Sequence, residues 1–471
     1  MKKNKLQSLA LSLLAAGFLF TSCEKDEINE STEVDAIQLE EAPFTNYMVI
    51  ATSSELTKSV ENFLKTGGGE IVSSIPEIGI SIVSSKDANF INNTLKNKDV
   101  ESVVPDYEIA WIPSQGENDF TTLDFTTNAL TPSPGSTEGA YFVLWGMEAI
   151  GANKAWNAGY TGKGATVFVL DSGIDRVNVE FAQTLNKNLS ASFVTNEPYW
   201  TRPGRFANHG THVAGTINAN KNNFGVIGVA YEAELVAVKV LSEYSGGGAF
   251  SWINAGIVYA ANNGADVINM SLGAVLSKNG FMIDAQGNEY RNPPKAVAAL
   301  IQAQQRAIDY AHSKGATIIV AAGNDGINND GNSSFVSLPA GLNNVITISA
   351  TAPEGWFPNP NANFDVPASY TTYGRSLIDL AAPGGDFDVA QYDMIYSVAS
   401  GANAFNWNAG TSMAAPHASG VAALIIAKNG GNMNPSDVEA QLINTADKID
   451  GNGQSLFFGK GRINAYRAVT E

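Results

Sequence analysis

A single cysteine, Cys23, stands in this chain of 471 residues, so no disulfide can close within it. Histidine is nearly as scarce, with four in all, which leaves little material for a zinc centre. Basic residues number 28 against 46 acidic ones. The resulting formal charge of −18 speaks against nucleic acid as a partner and for solubility. Charged residues of both signs make up only 16% of the chain, few for a soluble protein. The apolar run at 6–20 is too short to span a bilayer comfortably. No segment recurs with the period of roughly 20–50 residues that marks repeat proteins. What is abundant is glycine, at 45 residues, which fits a compact α/β body with many tight turns. The length suggests two or three units with room for a large core.

Residues 1–22 read as a targeting segment: Lys2, Lys3 and Lys5 precede the apolar run, which ends at Phe20-Thr21-Ser22-Cys23. A lone Cys at that place resembles a bacterial lipoprotein, in which lipid is attached to Cys23 and cleavage falls just before it. The alternative is an ordinary secretory signal beside a stray Cys, and Phe20 stands where that motif usually has Leu. Glu24-Lys25-Asp26-Glu27 follows at once and resembles the surface-export signals of some bacterial lipoproteins. The implied location is an exported precursor at the outer membrane or cell surface. The rest of 23–43 is acidic and polar and reads as a disordered tether.

A small module is expected over 44–112. Tyr47-Met48-Val49-Ile50 reads as a strand, and 55–65 carries Leu56, Val60, Phe63 and Leu64 at helical spacing. Gly67-Gly68-Gly69 breaks that helix, Ile71-Val72 and 78–83 read as strands, 87–98 as a helix and 100–111 as extended. The order β-α-β-β-α-β is the split βαβ, or ferredoxin-like, α+β arrangement. Residues 113–140, rich in Ser, Thr, Pro, Asn and Gly, read as a linker. From 141 to 471, apolar runs of strand length (165–170, 234–240, 267–271, 317–321, 345–348) alternate with helix-like segments. Nearly continuous apolar strands point to an α/β fold, a mostly parallel sheet with helices on both faces. Functional residues of such sheets gather at the carboxyl ends of strands. Asp171, Ser271 and Asn324 all sit where a run ends.

Three motifs carry the chemistry. They are Val169-Leu170-Asp171-Ser172-Gly173-Ile174-Asp175, His209-Gly210-Thr211-His212-Val213-Ala214-Gly215 and Gly410-Thr411-Ser412-Met413-Ala414-Ala415-Pro416-His417. They supply a carboxylate, an imidazole and a hydroxyl. A hydroxyl becomes a good nucleophile when an adjacent His removes its proton and a buried carboxylate holds that His in one tautomer. His209 and His212 also have the His-x-x-His spacing of a metal site. A zinc peptidase would want His-Glu-x-x-His, and Gly210 and Thr211 stand between them here. The Gly-x-Ser-x-Gly elbow of α/β-hydrolases is not met, because Ala414 stands at its last position and those enzymes place Ser first.

With their flanks, the three motifs resemble the subtilase family of serine peptidases, whose order Asp, His, Ser they share. The resemblance implies a subtilisin-like fold and a serine endopeptidase acting on proteins or peptides through an acyl-enzyme, with no cofactor needed for the chemistry. It assigns Asp171, His209 and Ser412 to the triad, with His212 as a structural neighbour. It makes Asn324, in Ala321-Ala322-Gly323-Asn324-Asp325, a donor to the oxyanion. Ser271-Leu272-Gly273 and Gly246-Gly247-Gly248 would form the two edges against which a peptide pairs. Ser337-Leu338-Pro339-Ala340 would floor the first pocket, suiting an apolar or neutral side chain. Ala274 stands where the family commonly has Gly, and an insertion over about 275–305 alters the cleft. The module at 44–112 resembles the family's inhibitory propeptide; taken alone it reads equally as a small structural or binding domain. Asn220-Lys221-Asn222-Asn223-Phe224-Gly225 resembles the family's calcium loop. Glu180, Asn220, Asn222, Phe224 and Val226 are its candidate ligands, with a plain Asn-Gly turn as the alternative. The rival functional reading is an idle relative that binds peptides or a partner protein. Self-processing would cut the chain within 111–116 and leave the lipid on the propeptide, freeing the enzyme from the membrane.

Overall fold

The computed structural model describes residues 45–53, 58–112, 137–202, 206–357, 359, 361–388, 390–451 and 453–471. The targeting segment, Cys23, the tether and most of the expected linker lie outside them.

The apolar runs pair as a mixed sheet whose central strands are all parallel. Thr317–Ala321, Val267–Met270, Thr166–Asp171 and Glu234–Lys239 lie side by side in that order. Ile346–Ala352 extends the sheet beyond Thr317–Ala321, and Leu380–Pro383 pairs parallel with it. Only the short edge strand Val366–Pro367 runs antiparallel. Residues of Val267–Met270 and Thr317–Ala321 are buried throughout, which is why they read as mostly apolar runs. Helices cover both faces. Thr411–Lys428 and Ala207–Asn218 belong to one core with Val167, Val169 and Ile348. Phe250–Asn262 and Pro294–Ser313 pack on the other face with Phe168, Leu170 and Val238.

Ahead of this body, Asn46–Ala51, Glu70–Ile75, Ile80–Ser84 and Val100–Pro105 form a separate four-stranded sheet. Asn46–Ala51 lies between Ile80–Ser84 and Val100–Pro105, antiparallel to both. Helix Lys58–Thr66 overlaps the expected 55–65 and runs one residue past it, and the second helix is shorter than expected, Phe90–Thr94. The sheet has two apolar faces. Tyr47, Val49, Val83 and Phe90 form one small core with Val60 and Leu64. Met48, Ile50, Ile80 and Ile82 on the other face join the core of helices Phe250–Asn262 and Pro294–Ser313. Arg306 strengthens that contact, donating to Ala51 O at 2.9 Å and pairing with Glu101 at 2.5 Å. Asp106 also contributes. Helix Phe250–Asn262 has no cap from its own N-cap residue, Ala249. The Asp106 carboxylate fills that role, accepting from Ser251 N at 3.1 Å and Ser251 Oγ at 2.5 Å.

Candidate active site

Three neighbouring strands deliver the site to one edge of the sheet. Asp171 is the last residue of Thr166–Asp171 and has no exposed surface. Its Oδ1 accepts from Ser172 N at 2.6 Å. Both carboxylate oxygens face His209 Nδ1, at 2.9 and 3.0 Å. His209 lies in the first turn of Ala207–Asn218, and Gly210 beside it lets helix and strand meet. A Cβ on Gly210 would sit 2.9 Å from Asp171 Oδ1, closer than any side chain tolerates. A ring that donates its Nδ1–H to Asp171 leaves Nε2 free to accept a proton. Nε2 has no hydrogen-bond partner among the described residues. Asp175 takes no part, since its carboxylate receives Gly401 N and Val177 N.

His212 and His417 are buried differently. Burial pushes His212 down to about 3 and His417 to about 4. Each donates to a main-chain carbonyl, His212 to Ile395 O at 3.1 Å and His417 to Met413 O at 2.8 Å. Both stay neutral at physiological pH and face no carboxylate, so neither competes with His209.

Ser412 lies in the first turn of the long helix Thr411–Lys428, where main-chain N–H groups have no partner within the helix. Its Oγ donates to Ser271 O at 3.2 Å rather than to His209, and Ser271 Oγ donates back to Ser412 O at 2.8 Å. Contacts between nucleophile and base are often long until substrate is bound. Asn324 follows strand Thr317–Ala321. Its Oδ1 is committed to Thr411, receiving the N–H at 2.9 Å and the hydroxyl at 2.8 Å. That fixes the amide so that its NH2 group is the part left to donate elsewhere.

A cleft of about 430 Å³ opens here, bounded by Ser412, Asn324, Gly323, Leu272 and Gly273. Phe335 lines it, whereas 337–340, expected to floor the first pocket, are not among its lining residues. The chain's own segment lies along the cleft. Glu108–Ala110 pairs antiparallel with Gly247–Ala249. Gly246 O accepts from Trp111 N and Ile112 N at 3.4 Å, and Gly273 N donates to Trp111 O at 3.0 Å. Both expected edges are therefore engaged by one extended segment. The Trp111 ring meets Phe250 edge-on at 5.2 Å and donates to Gly248 O at 2.9 Å.

The calcium-loop candidates also converge. Glu180 is fully buried, and Asn222 Nδ2 donates to its Oε2 at 2.9 Å. Its Oε1 has no hydrogen-bond partner among the described residues. Burial and the nearby charge of Glu138 push the Glu180 carboxyl up to about 9, against hydrogen bonds from Asn222 and Val226 N. Asn220 N donates to Glu180 O, and Phe224 N to Asn222 Oδ1. An orphaned carboxylate oxygen beside a second buried carboxylate is a donor set that suits a hard cation. Asn222 presents nitrogen, not oxygen, to Glu180.

Three residues escaped the sequence reading. Glu138 fell inside the expected linker, yet it is buried and accepts from Phe224 N at 2.7 Å; a carboxylate just before an apolar run was its only signal. Asn269, a polar residue inside an apolar strand, links Ser271 Oγ at 3.0 Å to Ser419 Oγ at 2.8 Å, tying Ser271 to the helix that carries Ser412. Lys239, a charge ending another such strand, is fully buried between Glu197 at 2.8 Å and Glu243 at 3.1 Å, which anchors the turn leading to Gly246.

Comparison with known proteins agrees with this geometry. The model of the subtilase family (Peptidase_S8) matches residues 162–461. Subtilisin BL from Lederbergia lenta is 37% identical over 330 residues, 70% of this chain and 100% of that protein. A thermophilic serine proteinase from Bacillus sp. (strain AK1) is 30% identical over 469 residues, 98% of each. Among solved structures, the epidermin leader peptide processing serine protease of Staphylococcus aureus superposes with a TM-score of 0.69 at 24% identity. It covers 90% of this chain and 98% of its own, a likeness of fold.

Proposed function

The chain belongs to the subtilase family and is a serine endopeptidase, and we propose that Asp171, His209 and Ser412 are its triad in an enzyme made as a self-processed, exported zymogen. The observation that carries this is the segment 108–112, which pairs with both edges of the cleft, its residues 109–112 lining that cleft together with Ser412. A substrate held the same way presents its carbonyl carbon to Ser412 Oγ. His209 Nε2 takes the hydroxyl proton as the bond forms, and Asp171 steadies the ring cation. The oxyanion receives Asn324 Nδ2 and the Ser412 N–H. His209 then returns the proton to the leaving amine, and water hydrolyses the acyl-enzyme by the same exchange in reverse. Substrates are proteins or peptides in extended form.

The module 44–112 acts as an intramolecular inhibitor, and processing falls within 111–116. Lipid on Cys23 would hold the uncut precursor at the membrane, and the cut would leave that anchor with the propeptide. A structural calcium ion would sit among Glu180, Glu138 and the 220–226 loop, adding stability and no chemistry.

The test is one pair of proteins. Wild type should take a fluorophosphonate label and yield a soluble form beginning between about residues 110 and 140. Ser412→Ala should take no label and stay full-length in the membrane fraction, its residual rate lower by several orders of magnitude. Near-native hydrolysis by Ser412→Ala would sink the mechanism. Active wild type still joined to Cys23 in the membrane would sink the release.

A further inference from the structure

The insertion after Ala274 builds a hairpin from Phe281–Ile283 and Glu289–Arg291 that belongs to neither sheet described above. It is rooted through Ala274–Ser277, beside the Gly273 edge. Asp284 shapes its tip. Oδ1 accepts from Gln286 N at 2.9 Å and Asn288 N at 2.8 Å, and Oδ2 from Asn288 Nδ2 and Tyr290 OH, both at 2.8 Å. The tip crosses to the opposite edge of the cleft. A Cβ on Gly247 would stand 2.7 Å from Ala285 Cβ, so only glycine fits beneath it. The segment 107–112 passes between. Ala285 N donates to Glu108 O at 2.9 Å. The Tyr290 ring lies 5.5 Å from that of Tyr107, whose hydroxyl donates to Asn292 Oδ1.

We propose that this hairpin is a substrate-binding arm, gripping the main chain of an extended polypeptide upstream of the residues held by Gly246 and Gly273. Ala285 supplies the donor, and Tyr290 favours an aromatic residue one position before the gripped carbonyl. The site selects long unfolded chains over short peptides. This rests on the cleft assignment made above, and it adds a contact that neither glycine edge provides.

The experiment compares two peptides cut at the same bond by the processed enzyme. The short one copies residues 109–118 and keeps the pairing with Gly247 and Gly248, whereas the long one copies 107–118 and adds Tyr107 and Glu108. Wild type should cleave the long peptide with kcat/KM about tenfold higher, the scale of one net hydrogen bond. Ala285→Pro removes the N–H, and the long-to-short ratio should fall to near one. Ala285→Ser keeps the N–H and should keep the ratio. Because proline could distort the tip, a second variant replaces 281–291 by a short Gly-Ser link, and its ratio should also approach one. Equal rates for the two peptides in wild type would overturn the arm, as would an undiminished ratio in both the proline and the replacement variants. Failure of the cleft assignment looks different: neither peptide is cut, and Ser412 takes no fluorophosphonate.

Discussion

Asn324 is held by Thr411 through its oxygen, so truncating it removes the Nδ2 donor and also the acceptor that Thr411 N–H and hydroxyl share at the start of the Ser412 helix. Asn324→Ala should lower kcat by about 10²–10³, the loss found for such a donor in subtilisin, with KM nearly unchanged. A steady-state comparison on one peptide checks this, and a change confined to KM would remove Asn324 from the oxyanion site. Asp171, His209, Asn324 and Ser412 were legible because each sits in a run whose neighbours are also constrained. Gly210 must be small to clear Asp171, and Thr411 must hold Asn324. Residues acting across the chain carried no such local mark. Asn269 and Lys239 work through partners 150 positions away in one case and in separate loops in the other. Spacing along the chain says nothing about either.

The parallel strands were readable as elements because burial on both faces leaves mostly apolar side chains along them, with Asn269 and Lys239 among the exceptions. Helix Phe90–Thr94 is shorter than the expected 87–98: Leu95, its C-cap residue, is exposed, so a further turn would have no apolar side chain to bury there. The arm was visible only as an insertion, because its position depends on what lies beneath it. The cap that Asp106 places on helix Phe250–Asn262 has a consequence in solution. Burial raises the docked carboxyl from 3.8 to about 6, with the Ser251 hydrogen bonds opposing and Glu108 assisting. A group whose pKa is higher in the docked state takes up a proton on docking. Its contribution is therefore complete below about pH 4, declines as pH rises to about 6, and is flat above. Inhibition of the processed enzyme by a separate 45–112 fragment should weaken over that window, by up to about a hundredfold from this group. Asp106→Asn should remove that part of the slope. An unchanged slope in the variant would assign the pH dependence elsewhere.

At the scale of the whole molecule, the calcium candidates join parts that the sheet does not. Glu138 lies where the described chain resumes after 136, Glu180 in a turn leading away from strand Thr166–Asp171, and Phe224 in the loop after helix Ala207–Asn218. Gly225 O also receives Ala140 N at 2.8 Å. Two buried carboxylates in one place repel each other, and both carboxyls are pushed upward chiefly by burial. A divalent cation would replace that repulsion with attraction and give Glu180 Oε1 the partner it lacks. Binding to the folded state alone stabilises by mass action, about 2.7 kcal/mol when calcium is a hundredfold above its dissociation constant. Melting should be followed in Ser412→Ala, so that self-digestion does not obscure it. Calcium should raise Tm and a chelator should lower it. Glu180→Gln and Glu138→Gln should each remove most of that difference while melting cooperatively themselves. A Tm that is the same in calcium and in chelator would reduce this cluster to a calcium-free turn, and the protonated Glu180 carboxyl would then be its resting state.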